Sequence, residues 1–161
     1  MTPTAPAIYA PKNPAAKISI ESRIGAAILA ITCLAILIVA RLLPPSPTGV
    51  GTHLGLGLDR CAFLDRTGLP CPSCGMTTSF SHFAHGQLLA SFYVQPMGAI
   101  LAVMTVATFW IAIYIAITGK PALRLMRIVP AGYYFIPLMF FAIAAWGWKI
   151  FIHLHGIDGW R

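Results

Sequence analysis

Charge is what this sequence has least of. Of its 161 residues only 9% are Asp, Glu, Lys or Arg, and four of those are acidic. A soluble domain carries about 25% charged residues, so an ordinary water-soluble globule is excluded. No carboxylate dyad, nucleophile–base pair or phosphate-binding loop is present, and Gly55-x-Gly57 is too short to serve as one. The formal net charge of +7 does not make this a nucleic-acid binder, because the basic residues form no patch with interleaved aromatics. Cysteine is scarce as well, with four in the chain. Three of them crowd into one short stretch.

What fills the chain instead is apolar sequence, 58% by composition with a mean hydropathy of +0.78. Three long runs stand out, at about 24–43, 97–118 and 131–152. Each reaches the roughly 20 residues a helix needs to cross about 30 Å of hydrocarbon. Helices satisfy every backbone N–H and C=O internally and are the economical way across. The first run exceeds the roughly 7–15 residues of a signal-peptide core and follows a long Pro/Ala-rich segment, so it reads as an uncleaved anchor. The expected fold is an all-α membrane protein with three transmembrane helices in one domain over 20–161, behind a disordered tail at 1–19.

The basic residues indicate topology. Lys12, Lys17 and Arg23 precede the first run, and Lys120, Arg124 and Arg127 fill the short loop after the second. Three spans put both groups on one side, which the positive-inside rule assigns to the cytoplasm. Arg60, Arg66 and Arg161 then lie outside, with Arg41 and Lys149 able to snorkel outward. Tyr133, Tyr134, Trp146 and Trp148 mark the two ends of the third span, and small residues on the first two permit close helix approach.

Residues 44–96 form the connection between the first two spans. Pro44-Pro45-Ser46-Pro47 stops the first helix, and the run to Gly57 is too glycine-rich for regular structure. From Pro72 to Tyr93 the pattern predicts one amphipathic helix, interfacial or partly inserted. Met76, Phe80, Phe83 and Ala84 share one face; Cys74, Thr77, Thr78, Ser81 and His85 share the other, with His82 beside them. A fourth crossing would move the Lys120-to-Arg127 loop to the other side, and parity argues against it.

The chemistry resides in Cys61, Cys71 and Cys74, within Cys61-Ala-Phe-Leu-Asp-Arg-Thr-Gly-Leu-Pro-Cys71-Pro-Ser-Cys74-Gly-Met-Thr. Cys, nine residues, then Cys-Pro-x-Cys-Gly-x-Thr, with His-Gly further on and Pro96 before the next span, resembles a family of uncharacterised small bacterial membrane proteins catalogued as a domain of unknown function. The resemblance runs from Cys61 to Pro96. It implies a bacterial cytoplasmic membrane location and supplies no activity. Thr78 stands where that family carries Arg, Ser73 where it carries Gly, and Gln95 where it carries Asn.

Three chemistries fit the cysteines. In an oxidising compartment Cys61 can pair with Cys71 or Cys74 as a disulfide staple, worth about 2–4 kcal/mol. Alternatively Cys71 and Cys74 form a redox dithiol, with Cys71 attacking from a helix start, Cys74 resolving and Cys61 as a relay. As a third possibility the thiolates ligate zinc. His82 and His85 lie about 12 Å and 16 Å along a helix from Cys74, too far for one ion. His53, Asp59, Asp65, His153 and His155 remain as a fourth ligand.

The staple is preferred from sequence. It makes the chain a non-catalytic accessory or assembly protein that needs no cofactor, meets lipid and other membrane proteins, and exposes the cysteine motif and the C-terminus outside the cytoplasm. An exposed Cys71 of lowered pKa beside an apolar groove would favour a membrane thiol–disulfide oxidoreductase instead.

Overall fold

The computed structural model describes residues 19–120 and 132–160, together with the side chains of 135–160 in the last helix. The expected tail, Arg124, Arg127, Arg161 and the Tyr133/Tyr134 side chains lie outside what it describes. Among the described residues six α-helices follow in order: α1 (Ile20–Leu42), α2 (Ala62–Thr67), α3 (Met76–Ala84), α4 (Leu88–Val94), α5 (Pro96–Thr118) and α6 (Gly132–Leu154), with a 3-10 turn at Thr52–Leu56. No strand occurs among the described residues. Three helices, Ile20–Leu42, Pro96–Thr118 and the Phe135–Leu154 part of α6, are long and apolar enough to cross a membrane. The protein is an all-helical, multi-pass membrane protein.

Helices α1 and α5 form the central antiparallel pair. Small side chains are buried on both, Ala30, Cys33 and Ala40 on α1 and Ala99, Ala102 and Ala112 on α5, which suits close helix approach. Pro96 opens α5, where its missing N–H costs nothing, and Gly119 closes it in the left-handed region at φ +64°. The Arg23 guanidinium donates to the Ala116 and Ile117 carbonyls, covering orphan acceptors at the C-terminus of α5. The start of α1 and the end of α5 therefore share one side of the molecule. The cysteine segment lies at the other.

Two expectations are corrected. The stretch 72–93 is two helices, because the chain reverses after Ala84: Gly86 adopts φ +80°, and the N–H groups of His85, Gly86 and Gln87 return to carbonyls of α3. The polar face of α3 also points inward. Thr78, Ser79, Ser81 and His82 are buried, whereas Leu88, Leu89 and Phe92 of α4 are exposed. In lipid the solvent is apolar, so hydroxyls gain by meeting one another inside. Ser79 Oγ contacts Ser91 Oγ at 2.9 Å and donates to the Ser91 and Gln95 carbonyls, while Ser91 Oγ donates to Ser79 O. Gly98 makes this possible, since a Cβ there would stand 2.9 Å from Ser79 Oγ.

A third correction concerns Lys149. Instead of snorkelling outward it is fully buried, with Nζ 3.1 Å from Asp158 Oδ1 and donating to Gly49 O at 3.2 Å. Asp158 Oδ1 has no partner at a hydrogen-bonding angle, so its approach to Lys149 is an ion contact; Oδ2 is held by His153 Nδ1. The segment after α6 folds back and brings the carboxylate to the lysine, which removes any reason for the ammonium to seek water.

Candidate functional site

The cysteine segment is built from turns rather than from a helix start. Cys74 N–H donates to Cys71 O at 3.0 Å and Met76 N–H to Ser73 O at 3.1 Å, so Pro72 opens a tight turn and α3 begins only at Met76. Cys61 immediately precedes α2, which ends at Gly68 with φ +69°. That short helix and its turn return the chain to Pro70, so Cys61 meets the pair that follows.

Three sulfurs converge as a result. The Sγ atoms of Cys61, Cys71 and Cys74 all lie within 4.8 Å of one another. Cys71 and Cys74 are closest, at 3.1 Å, and Cys71 Sγ also meets Ser73 Oγ at 3.2 Å. All are free thiols, so the staple expected between Cys61 and either partner is not formed in this structure. Cys33 is buried within α1, remote from the loop in sequence.

The two motif thiols differ in acidity. Partial burial opposes ionisation of Cys71. Hydrogen bonds from Ser73, Cys74, Cys61 and the Ser73 backbone outweigh it and lower the pKa from 9.0 to about 7. Cys74, only 8% exposed, is pushed up to about 12 by burial, reinforced by its contacts with Cys71 and Cys61. A half-ionised thiolate thus stands against a protonated thiol. The acidity expected from a helix N-terminus comes instead from side-chain donors.

Side chains distant in sequence clamp the turn from below. Gln95 Nε2 donates to Pro72 O and Trp146 Nε1 to Pro70 O, both at 2.9 Å. Trp148 Nε1 donates to Tyr93 O, and Tyr93 Oη to Ile157 O, tying α6 and its following segment to α4. Trp146, one of the two tryptophans expected as membrane-interface markers, spends its N–H group on this clamp, and Trp148 spends its own on α4. Gly75, at φ +86°, faces Gly49 O and Lys149: a Cβ would lie 2.8 Å from the carbonyl and 3.3 Å from Nζ. Gly75→Ala is expected to cost about 2–3 kcal/mol through backbone strain and this clash. A thermal midpoint in detergent equal to that of the parent protein would contradict this.

Above the sulfurs lies an apolar cavity of about 910 Å³. Its walls are the last turns of α1 from Ala35 to Leu43, the 48–54 segment, Leu64 and the start of α3. Cys61, Cys71 and Cys74 all line it, as do Thr77 and Thr78.

The other sequence-derived candidates take varied roles. Thr78 is fully buried and bonds Thr52 Oγ1 at 2.8 Å rather than its own preceding turn. Ser81 Oγ donates to Leu43 O and closes the end of α1. His82 Nδ1 meets Gln87 Oε1, and His85 Nδ1 bonds Ser81 O; neither imidazole joins the sulfur cluster. His53 and Asp65 reach the cavity wall, His53 with Nε2 on Asp59 O. His153 is engaged by Asp158, and His155 bonds Phe151 O. Three converging thiols suit a soft metal ion, yet among the described residues no His, Asp or Glu joins them as the fourth ligand of tetrahedral zinc. Sequence reasoning missed Lys149, Asp158, Thr52 and Gln95 as supports. Only the Gly156/Asp158/Gly159 cluster after the last span signalled a turn that could bring a carboxylate back.

None of the curated proteins and none of the solved structures matches the chain. One family model does, and it covers the cysteine segment, α3, α4 and the first part of α5: residues 61–110 match the family described as Protein of unknown function (DUF2752).

Proposed function

We propose that this chain is a membrane thiol–disulfide oxidoreductase with Cys71 as nucleophile and Cys74 as resolving thiol. The observation that carries the reading is the pairing of two sulfurs 3.1 Å apart but unequal in acidity, opening onto an apolar cavity. Exchange needs a thiolate to attack and a neighbour to resolve. The Cys71 thiolate attacks one sulfur of a substrate disulfide and displaces the other as a thiolate, giving a mixed disulfide. Cys74 then attacks Cys71, its proton passing to the departing thiolate. The products are the reduced substrate and a Cys71–Cys74 disulfide, and the sequence runs in reverse to oxidise a dithiol. Cys61, within 4.8 Å of both, serves as a third thiol for onward exchange.

This replaces the stapled accessory protein expected from sequence. A staple would leave its sulfurs paired and inert, whereas Cys71 is half-exposed, acidic and at the cavity edge. Zinc binding by the three thiolates is the second reading, favoured by their convergence alone. The site is assigned to the extracytoplasmic face of a bacterial cytoplasmic membrane, with the N-terminus inside. The basic residues around Arg23 and from Lys120 to Arg127 support that orientation.

Alkylation tests both points. Modification of Cys71 should rise with pH to half its maximum rate near pH 7, because a thiol at its ordinary 9.0 would be only about 1% ionised there. An impermeant maleimide should label it in intact cells. A midpoint near 9, or labelling only after lysis, would contradict the nucleophile or the orientation respectively.

A further inference from the structure

We propose that the cavity above the cysteines admits a lipid-borne quinone, which takes two electrons from the Cys71–Cys74 pair. This rests on the oxidoreductase reading and names its electron acceptor. The cavity wall is the end of α1, a helix apolar enough to lie in the bilayer, and its lining residues Ile36 and Val39 are half-exposed rather than sealed inside, at 45% and 41%. A compound dissolved in the membrane reaches the cavity past this face without crossing water. The opposite wall carries the cysteines and Thr77. The space is mostly apolar, with Thr48, His53, Arg60, Asp65 and the cysteine segment as its polar lining, so it offers an apolar tail the α1 wall and ring carbonyl oxygens polar partners. At about 910 Å³ it holds a substituted benzoquinone ring and the first part of its chain.

The chemistry of the pair selects the same class of molecule. Closing a disulfide releases two electrons together, and an acceptor within the bilayer must be apolar and take both. In the reaction the Cys71 thiolate adds to the quinone ring, and the resulting ring oxyanion takes the proton of Cys74. The Cys74 sulfur then displaces the ring from Cys71, forming the S–S bond, while the electron pair of the broken C–S bond stays on the ring, which takes one proton from solvent. The balance is one thiolate, one thiol, one quinone and one proton giving one disulfide and one quinol. Deep protonation of Cys74 retains the proton until the oxyanion forms, and the acidity of Cys71 supplies the attacking sulfur at neutral pH.

The test uses the full chain, purified, reduced and placed in lipid nanodiscs. Decylubiquinone is the probe, since its fully substituted ring suppresses simple arylation of thiols. Its absorbance should fall by one quinol formed per protein, and intact mass should show the loss of two hydrogens from the Cys71–Cys74 peptide. Val39→Trp and Ile36→Trp, which fill the cavity at half-exposed positions, should each slow quinol formation by about tenfold. Ile38→Trp, exposed on α1 outside the cavity, should not. Quinone inert toward a protein that still exchanges with a soluble aromatic disulfide would overturn this inference and leave the oxidoreductase reading standing. Inertness toward both would remove that reading too. Equal rates in all three tryptophan variants would place any quinone reaction outside the cavity.

Discussion

Cys71→Ser should abolish thiol exchange while leaving the fold intact, and Cys74→Ser should trap it halfway. At neutral pH Cys71 is half ionised, whereas Cys74 holds its proton to about 12. With Cys71 replaced, reaction with an aromatic disulfide should fall by about a hundredfold or more, because the remaining motif thiol offers almost no thiolate. The Cys74→Ser protein keeps the attacking sulfur and loses the resolving one, so a mixed disulfide on Cys71 should accumulate. Cys61 is close enough to resolve it slowly, and Cys61→Ser/Cys74→Ser should make the adduct persist. Intact mass after brief exposure to the reagent reads all three outcomes. A metal site would behave differently: each single variant would lower stability, and none would accumulate an adduct.

The second large effect belongs to Lys149 and Asp158. Lys149 is 0% exposed and its carboxylate partner 14%. Removing one member of a buried pair costs roughly 3–5 kcal/mol, because the other is left charged without compensation. Asp158→Asn strands an ammonium with only the Gly49 carbonyl, and should be the most damaging single change. Lys149→Met leaves Asp158 with His153, and should fall near the low end of that range. The double variant removes both charges and should be more stable than Asp158→Asn. Thermal midpoints in one detergent give the order. Strictly additive losses would show that the two side chains do not share a contact in the membrane protein.

Much of this architecture was legible in the sequence because it depends on local or near-local signals. Apolar runs long enough for bilayer crossing locate α1, α5 and α6 to within a few residues. Small residues on α1 and α5 are buried, as close helix approach requires. The short Cys61-to-Cys74 separation does bring the sulfurs together. What the sequence hid depends on partners far along the chain. Thr78 reads as a hydroxyl bonding back to its own preceding turn until Thr52 is placed against it. Ser79 needs Ser91 and the clearance at Gly98 before its burial makes sense. Lys149 reads as a snorkelling residue until Asp158 returns to it. For Lys149 the sequence points to water, and in all three cases pairing inside the protein is the more favourable solution near lipid. The break at Gly86 has a local signal, His-Gly at the end of a short helix, that the continuous amphipathic pattern masked.

The proton on Cys71 and the bond it can form are the centre of the account. The most direct measurement equilibrates the purified full-length protein in glutathione redox buffers, quenches by alkylation and reads intact mass and peptide maps, with metal content determined on the same sample. A reversible two-electron transition is expected, with Cys71 joined to Cys74 in the oxidised protein and both alkylated in the reduced one, without bound zinc at any poise. One tightly held zinc ion per chain with all three thiols protected from alkylation, or a Cys61 disulfide that no buffer opens, would contradict it.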